Sequence, residues 1–106
     1  SFIGTPPMTL FPPGVLDLGR TVGVRPENIR ISTNGTTDGK GLPATVDLVE
    51  PLGNETLVHC VTDVRSVKVT VRIQGGAAGG SLVSHGDRIV LLPEMGKAVF
   101  FDRDGR

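Results

Sequence analysis

A few side chains in this sequence are of the types that ligate metals. His59, Cys60 and His85 could contribute nitrogen or sulfur ligands, but no pair among them has the spacing of a zinc site. The pattern predicts a β-strand through His59 and Cys60, and neighbours on a strand face opposite sides of a sheet. These residues therefore cannot easily share one ion, and we expect no metal centre.

Ser84, His85 and Asp87 are the residue types of a hydrolytic triad, but they lie within one short segment. Working triads bring distant residues together beside an oxyanion hole. Asp87 next to Gly86 is more typical of a turn. The remaining carboxylates are spread along the chain and form no evident acid/base couple. The sequence therefore predicts that this chain is not itself an enzyme.

The segment Gly75–Ser81 is rich in glycine, as phosphate-binding loops are. It lacks the lysine of the GxxxxGK[ST] pattern, and no helical pattern follows it to hold an anion at its N-terminus. We interpret it as a flexible hairpin tip. No nucleotide or other cofactor is expected on this chain.

Composition excludes several classes of partner. The 106 residues carry 11 basic and 11 acidic side chains, with four phenylalanines and no tyrosine or tryptophan. A neutral surface with few aromatic rings argues against nucleic-acid binding, including binding by an oligonucleotide-type barrel. No apolar run approaches the roughly 18 residues of a membrane span. A single cysteine, Cys60, favours a reducing, cytosolic location.

Short alternating runs predict an all-β fold. Val67–Ile73 alternates apolar and polar residues, which is typical of a half-buried strand. Leu42–Leu52 is predicted as a longer strand, with Ala44, Val46, Leu48 and Leu52 on one face. Glu50 interrupts this face and Pro51 follows it, so we expect a bulge or strand end near there to turn Glu50 outward. Gly53-Asn54 then predicts a tight turn, and Thr56–Thr62 the returning arm of a hairpin.

Further strands are predicted at Thr21–Val24, Ile29–Ser32, Arg88–Leu92 and Ala98–Phe101. A short helical turn is predicted at Pro26–Asn28, since proline suits a first helical position. Arg25 and Glu27 flank this proline, and we expect them to form a local ion pair or cap, with contact to a partner as the alternative. The sequence predicts a small OB-like barrel of about 7–9 short strands with at most short helical turns.

Several strings resemble one protein family. Val22–Ile29 resembles the GxRPE signature of the TOBE-type regulatory domain in the ATPase subunits of carbohydrate ABC importers. Phe2–Met8 resembles the segment where those proteins leave the ATPase domain, and Val49–Thr56 resembles their VExLGxET hairpin. Gly86–Ile89 and Phe101–Gly105 resemble their closing GDxV and FDxxTG pieces. The motifs follow the family's order and cover nearly the whole chain.

The resemblance implies one domain over residues 1–106, of which 1–13 connect it to an ATPase domain outside this sequence. It implies an OB-like fold packed on that domain, pairing of two subunits through their regulatory domains, and coupling to permease subunits at the inner face of the membrane. ATP and magnesium would bind the ATPase domain. In the maltose-type branch, the glucose-specific enzyme IIA protein docks on the regulatory domain.

The motifs supply the candidate residues for family function or partner contact. These are Phe2, Gly4, Pro6, Arg25, Pro26, Glu27, Glu50, Gly53, Glu55, Asp87, Phe101 and Asp102. An alternative function is that of a small-ligand or oxyanion-binding module related to molybdate-binding domains, for which Thr56, Ser66 and Ser84 could offer hydroxyl groups.

Overall fold

The structure, a computed structural model, describes residues 6–33, 39–75 and 83–102. Eight strands account for most of these residues and confirm the all-β prediction. They are β1 (Thr9–Phe11), β2 (Thr21–Val24), β3 (Ile29–Ser32), β4 (Leu42–Pro51), β5 (Glu55–Thr62), β6 (Lys68–Gln74), β7 (Arg88–Pro93) and β8 (Val99–Phe101). Two single 3₁₀ turns, Pro26–Asn28 and Met95–Lys97, complete the described secondary structure.

The strands form two antiparallel sheets that together make a nearly closed, barrel-like, OB-like fold. One sheet has the order β1-β2-β8, and the other has the order β3-β7-β4-β5-β6. The chain passes from the first sheet to the second at Pro26, which has no backbone N–H to continue a strand ladder. The 3₁₀ turn predicted at Pro26–Asn28 is confirmed. The backbone N–H of Glu94 donates to Asn28 O at 2.8 Å, which ties this corner to the end of β7.

One continuous core lies between the sheets. Along β6, β7 and the first half of β4, every other residue points into it, as the alternation in sequence predicts. Its fully or nearly fully buried members include Phe11, Val22, Val24, Ile29, Ala44, Val46, Val58, Cys60, Val69, Val71, Ile89 and Leu91. Burial of each valine, leucine, isoleucine or phenylalanine side chain contributes about 1.5–3 kcal/mol, so this shared core holds the two sheets together.

A β-bulge in β4 reverses the predicted faces of its second half. Val46 pairs with Cys60 and Leu48 pairs with His59, so Asp47 is an extra residue in the ladder. The prediction that Leu48 shares a face with Ala44 is therefore wrong. The bulge lies at Asp47, earlier than the position expected near Glu50, and Glu50 lies on the outer side of the sheet as expected. Leu48 is 54% exposed, and Val49 packs against the core instead. One inserted residue moves every following side chain to the opposite face.

The predicted β4–β5 hairpin is confirmed, with one difference at its turn. Gly53 has a φ of +88°, a conformation that favours glycine, and Leu52 N–H donates to Glu55 O at 2.8 Å. Leu52 lies in this turn beyond the end of the strand and is 41% exposed, so the prediction that it shares a face with Ala44 is also wrong.

Among the described residues, no helix is long and apolar enough to cross a membrane.

Candidate functional site

The side chains with the most reactive chemistry are separated by the fold. As predicted, His59 and Cys60 face opposite sides of β5: Cys60 packs in the core, and His59 lies on the outer side of the sheet. No group of three His, Cys, Asp or Glu side chains in the described part of the chain could hold a metal ion. Burial raises the pKa of the Cys60 thiol to about 12, so this thiol stays protonated at neutral pH.

Ser84, His85 and Asp87 build a turn, as the sequence predicts for Asp87. The Asp87 carboxylate accepts a hydrogen bond from Ser84 N–H at 2.9 Å, and Asp87 N–H donates back to Ser84 O at 3.0 Å. Gly86 supplies a φ of +89° between them. His85 Nδ1 contacts the carbonyl oxygen of Asp47 at 2.7 Å. The imidazole is therefore bound to the backbone at the β4 bulge.

The outer surface of the β4–β5–β6 hairpins carries a chain of polar contacts. Glu50 Oε1 lies 3.1 Å from Nε2 of His59, and Nδ1 of the same ring lies 3.3 Å from the Thr70 hydroxyl. These residues occupy three neighbouring strands, and their side chains are partly buried. The Glu50 carboxylate of the Val49–Thr56 motif thus has a partner within the domain.

A second carboxylate of the motif, that of Glu55, lies beside a cation. Its Oε1 atom is 3.5 Å from Nε of Arg72, and Gln74 Nε2 donates to it at 3.4 Å. The Arg72 Nε atom is buried and makes no hydrogen bond in the described structure, so Glu55 compensates its charge by proximity alone. Leu57 is buried on this same outer side, opposite Arg72 and Glu50 in the ladder. The paired charged side chains thus lie around a buried leucine.

The Arg25-Pro26-Glu27 turn differs from prediction. Pro26 is buried, whereas Arg25 and Glu27 are exposed. Arg25 makes no side-chain cap, and the ion pairs found among the described residues do not include one with Glu27. The expected local ion pair or cap is therefore wrong. Both charged groups point to solvent, where a partner can reach them.

The remaining candidate residues are not gathered into one site. Pro6 is buried and precedes β1, Phe101 ends β8 half-buried, and Asp102 is exposed just beyond it. Phe2 and Gly4 lie outside the described residues, as does most of the predicted Gly75–Ser81 hairpin tip.

The hydroxyl groups considered for oxyanion binding also stay apart. Thr56 is buried near the start of β5, and Ser66 is exposed in the turn that follows this strand. Ser84 belongs to the separate turn before β7. An open groove of about 780 Å³ contains none of these hydroxyls; it is lined by Val15, Leu16, Arg30, Lys40, Gly41, Leu42, Leu92, Pro93, Glu94 and Met95.

Sequence reasoning missed an apolar surface on the outer side of the three-stranded sheet. The ladder places Leu10, Gly23 and Val99 side by side, with Phe101 on the same face. Leu10 is 55% exposed and Val99 is 43% exposed. We call these residues, with Met8, the β1–β2–β8 face. The sequence signal for this surface was the alternation of the apolar residues Met8 and Leu10. They lie within residues 1–13, which were interpreted only as a connection.

Gly23 forms the floor of the β1–β2–β8 face. A Cβ atom here would overlap the sulfur of Met8 and lie 3.3 Å from Phe101 Cε2 and 3.4 Å from Leu10 Cδ2. The glycine of the Val22–Ile29 motif therefore lets apolar side chains from neighbouring segments meet above the central strand.

The geometry defines a class: a small, barrel-like β domain in which Asp87, Glu50 and Glu55 serve turn and sheet contacts, and which carries an exposed apolar surface. Residues 22–101 match the family model of the TOBE domain. The chain belongs to the TOBE domain family.

Relatives of known name are much longer than this chain. An sn-glycerol-3-phosphate import ATP-binding protein of Agrobacterium fabrum is 39% identical over 99 residues, which cover 91% of this chain and 24% of that protein. An Fe(3+) ions import ATP-binding protein of Rhodococcus jostii is 37% identical over 81 residues, covering 76% of this chain and 22% of the relative. The chain thus spans about a quarter of the length of the curated relatives it matches.

Proposed function

We propose that this chain is the C-terminal regulatory and dimerisation domain of the ATP-binding subunit of an ABC importer, and that it is itself non-catalytic. The observation that carries the proposal is the TOBE match over residues 22–101, together with relatives that are named as import ATP-binding proteins. The geometry supports an interaction domain, because two of the motifs' carboxylates have structural partners. Asp87 accepts a hydrogen bond within its turn, and Glu50 contacts His59 across the sheet.

ATP and magnesium bind, in this proposal, to the rest of the full-length subunit, and that part couples hydrolysis to two permease subunits. The subunit works in the cytoplasm at the inner face of the membrane. The exposed Arg25 and Glu27 and the β1–β2–β8 face are surfaces through which this domain meets other proteins. Among these partners we include a second copy of the domain and a regulatory protein such as glucose-specific enzyme IIA.

We further propose that the importer carries a sugar or a related organic solute. The support is the match to the sn-glycerol-3-phosphate import protein, which covers 91% of this chain, against 76% for the Fe(3+) import protein. Uptake of labelled glycerol 3-phosphate, maltose and ferric ion by cells that lack the gene tests this point. Loss of ferric ion uptake alone would contradict it.

Deletion of residues 6–102 from the full-length subunit tests the domain's function. We expect ATP binding by the truncated subunit to persist, because the proposal places the ATP site outside these residues. Light scattering should show weaker dimerisation, and inhibition by the regulatory protein should be lost. If dimerisation and regulation both survive the deletion, the proposal is wrong.

A double variant that replaces both exposed residues, Arg25→Ala with Glu27→Ala, gives a milder version of the same test. The control is Lys97→Ala, which removes an exposed ion pair with Glu94 at 3.8 Å in the β7–β8 connection. We expect the first variant to weaken regulatory or dimer contacts, with no loss of ATP hydrolysis, and the control to leave both unchanged.

A further inference from the structure

The five-stranded sheet leaves a gap between its two edge strands. In the described ladders, β3 and β6 end the order β3-β7-β4-β5-β6 and do not pair with each other, although they lie close together in the barrel. The 3₁₀ turn Pro26–Asn28 packs against β6 beside this gap. A groove of about 450 Å³ opens there, and we call it the β3–β6 groove. Small-molecule sites usually measure roughly 300–1,000 Å³ and are common at the mouths of β-barrels.

Apolar side chains form one wall of the β3–β6 groove. Ile29 and Val83 are buried there, and Ile31 and Ile73 are partly buried and pack against the core. They reach the groove because no strand ladder covers the core between β3 and β6. The wall can therefore bury the apolar body of a small ligand.

Opposite charges line the same groove without pairing. Glu27 belongs to the 3₁₀ turn and Arg30 to β3, and both are exposed. Within the described ranges of the chain, neither takes part in an ion pair. Arg72 also lines the groove, but Glu55 lies 3.5 Å from its Nε atom and compensates its charge. The groove thus presents one carboxylate and one guanidinium group to a ligand.

We propose that the β3–β6 groove binds a small zwitterion with an apolar body, such as an apolar α-amino acid. Glu27 accepts hydrogen bonds from the ammonium group, and Arg30 donates to the carboxylate, so both contacts are charge-assisted. The apolar wall packs against the ligand's side chain. A simple anion offers nothing to Glu27, and an uncharged solute offers no charge to either group. This site goes beyond the proposed function and does not depend on it, because all of its residues lie in this chain.

Calorimetric titration of this chain with matched probes tests the proposal. L-Leucine carries both charges on an apolar body. 4-Methylpentanoate is the same molecule without the ammonium group, and 3-methylbutylamine is the same molecule without the carboxylate. We expect L-leucine to bind with a dissociation constant of about 1 mM or lower. Each of the other two probes should bind about tenfold more weakly or worse, since each leaves one charged group of the groove without its partner.

Two substitutions assign the charges. Both replaced side chains are exposed, so circular dichroism should show an unchanged fold. Glu27→Gln should weaken binding of L-leucine about tenfold or more and leave 4-methylpentanoate binding unchanged. Arg30→Gln should weaken L-leucine to the same extent and leave 3-methylbutylamine unchanged. The control is Lys40→Ala, which removes an exposed cation from the neighbouring groove of about 780 Å³, and it should keep full affinity for L-leucine.

Three results would overturn the proposal. One is the absence of L-leucine binding at about ten times the expected dissociation constant. Another is equal affinity for L-leucine and 4-methylpentanoate, since the groove would then hold a simple anion. The third is loss of binding in Lys40→Ala with retention in Glu27→Gln. Arg30 lines both grooves, so this result would place the ligand in the neighbouring groove.

Discussion

Glu50 Oε1 lies 3.1 Å from Nε2 of His59 across the β4–β5 ladder, and the same imidazole contacts the Thr70 hydroxyl at 3.3 Å. Three neighbouring strands are thereby linked by side chains on the outer side of the sheet. The Glu50 carboxylate belongs to the hairpin motif that resembles the importer family. Its geometry assigns it an internal contact, in contrast to Glu27, which points to solvent.

The Glu50–His59 contact should contribute measurably to stability. We expect Glu50→Ala to lower the free energy of unfolding by about 1 kcal/mol, because the pair is partly buried and hydrogen-bonded. A double-mutant cycle with His59→Ala, followed by urea unfolding, should give a coupling of about 0.5–1 kcal/mol. The same cycle with Glu94→Ala and Lys97→Ala, in an exposed pair at 3.8 Å, is the control and should give almost no coupling energy. A coupling energy no larger than that of the control would show that the Glu50–His59 contact does not stabilise the fold.

Gly41 and Gly53 should respond differently to the same substitution. Both have left-handed backbone, with φ of +90° and +88°, so alanine costs about 1–2 kcal/mol at either position. At Gly41 a Cβ would also lie 2.5 Å from Val90 Cγ1 and 2.7 Å from the Leu91 carbonyl oxygen, whereas at Gly53 it meets open space. Gly41→Ala should therefore lose about 1–3 kcal/mol more than Gly53→Ala in thermal or urea unfolding. Equal losses would mean that crowding at β7 is relieved without cost.

The Cys60 thiol should be unreactive while the protein is folded. Burial raises its pKa to about 12, so almost none is ionised at pH 8. We expect no reaction with Ellman's reagent under native conditions and one reacting thiol in urea. The unfolded thiol ionises near its ordinary pKa of 9.0, so this group should lower stability as pH rises from about 9 towards 12. Cys60→Ala should remove that part of the alkaline loss. Rapid native labelling would show that the core opens at β5.

The Asp63–Arg88 pair should be visible in an acid titration. Arg88 donates two hydrogen bonds to the Asp63 carboxylate, at 2.7 and 2.6 Å, and this contact holds the pKa of Asp63 below its ordinary value of 3.8. The contact therefore stabilises the fold above that value and is lost as pH falls through the lowered pKa. In a carbon-detected NMR titration, Arg88→Gln should move the Asp63 midpoint upward. Asp17, whose pKa is lowered by its own partner Arg20, is the internal control and should not move.

Local patterns predicted much of this fold. The turn at Pro26 and the hairpin turn at Gly53 follow from residues whose backbone preferences are strong without any distant contact. Alternation also placed the strands of the core. β1 was not predicted, because three residues between prolines give too short a pattern to separate from a connection.

The errors came where distant parts of the chain decide the outcome. The bulge at Asp47 is held by backbone bonds from Val46 to Asp87 and from Gly86 to Val46, some forty residues away. The residues next to Leu48 do not indicate these distant hydrogen bonds, so the sequence pattern placed the Leu48 side chain on the wrong face. In the same way, Arg25 and Glu27 are close in sequence, but the fold turns both outward.

The sequence by itself determined the class of fold and the family, because alternation, turn residues and ordered motifs are properties of short segments. Only the tertiary structure decided which motif residues serve the domain internally and which surface it leaves apolar. The reason is that β1, β2 and β8 come from both ends of the chain, and a shared face appears only when their ladders form.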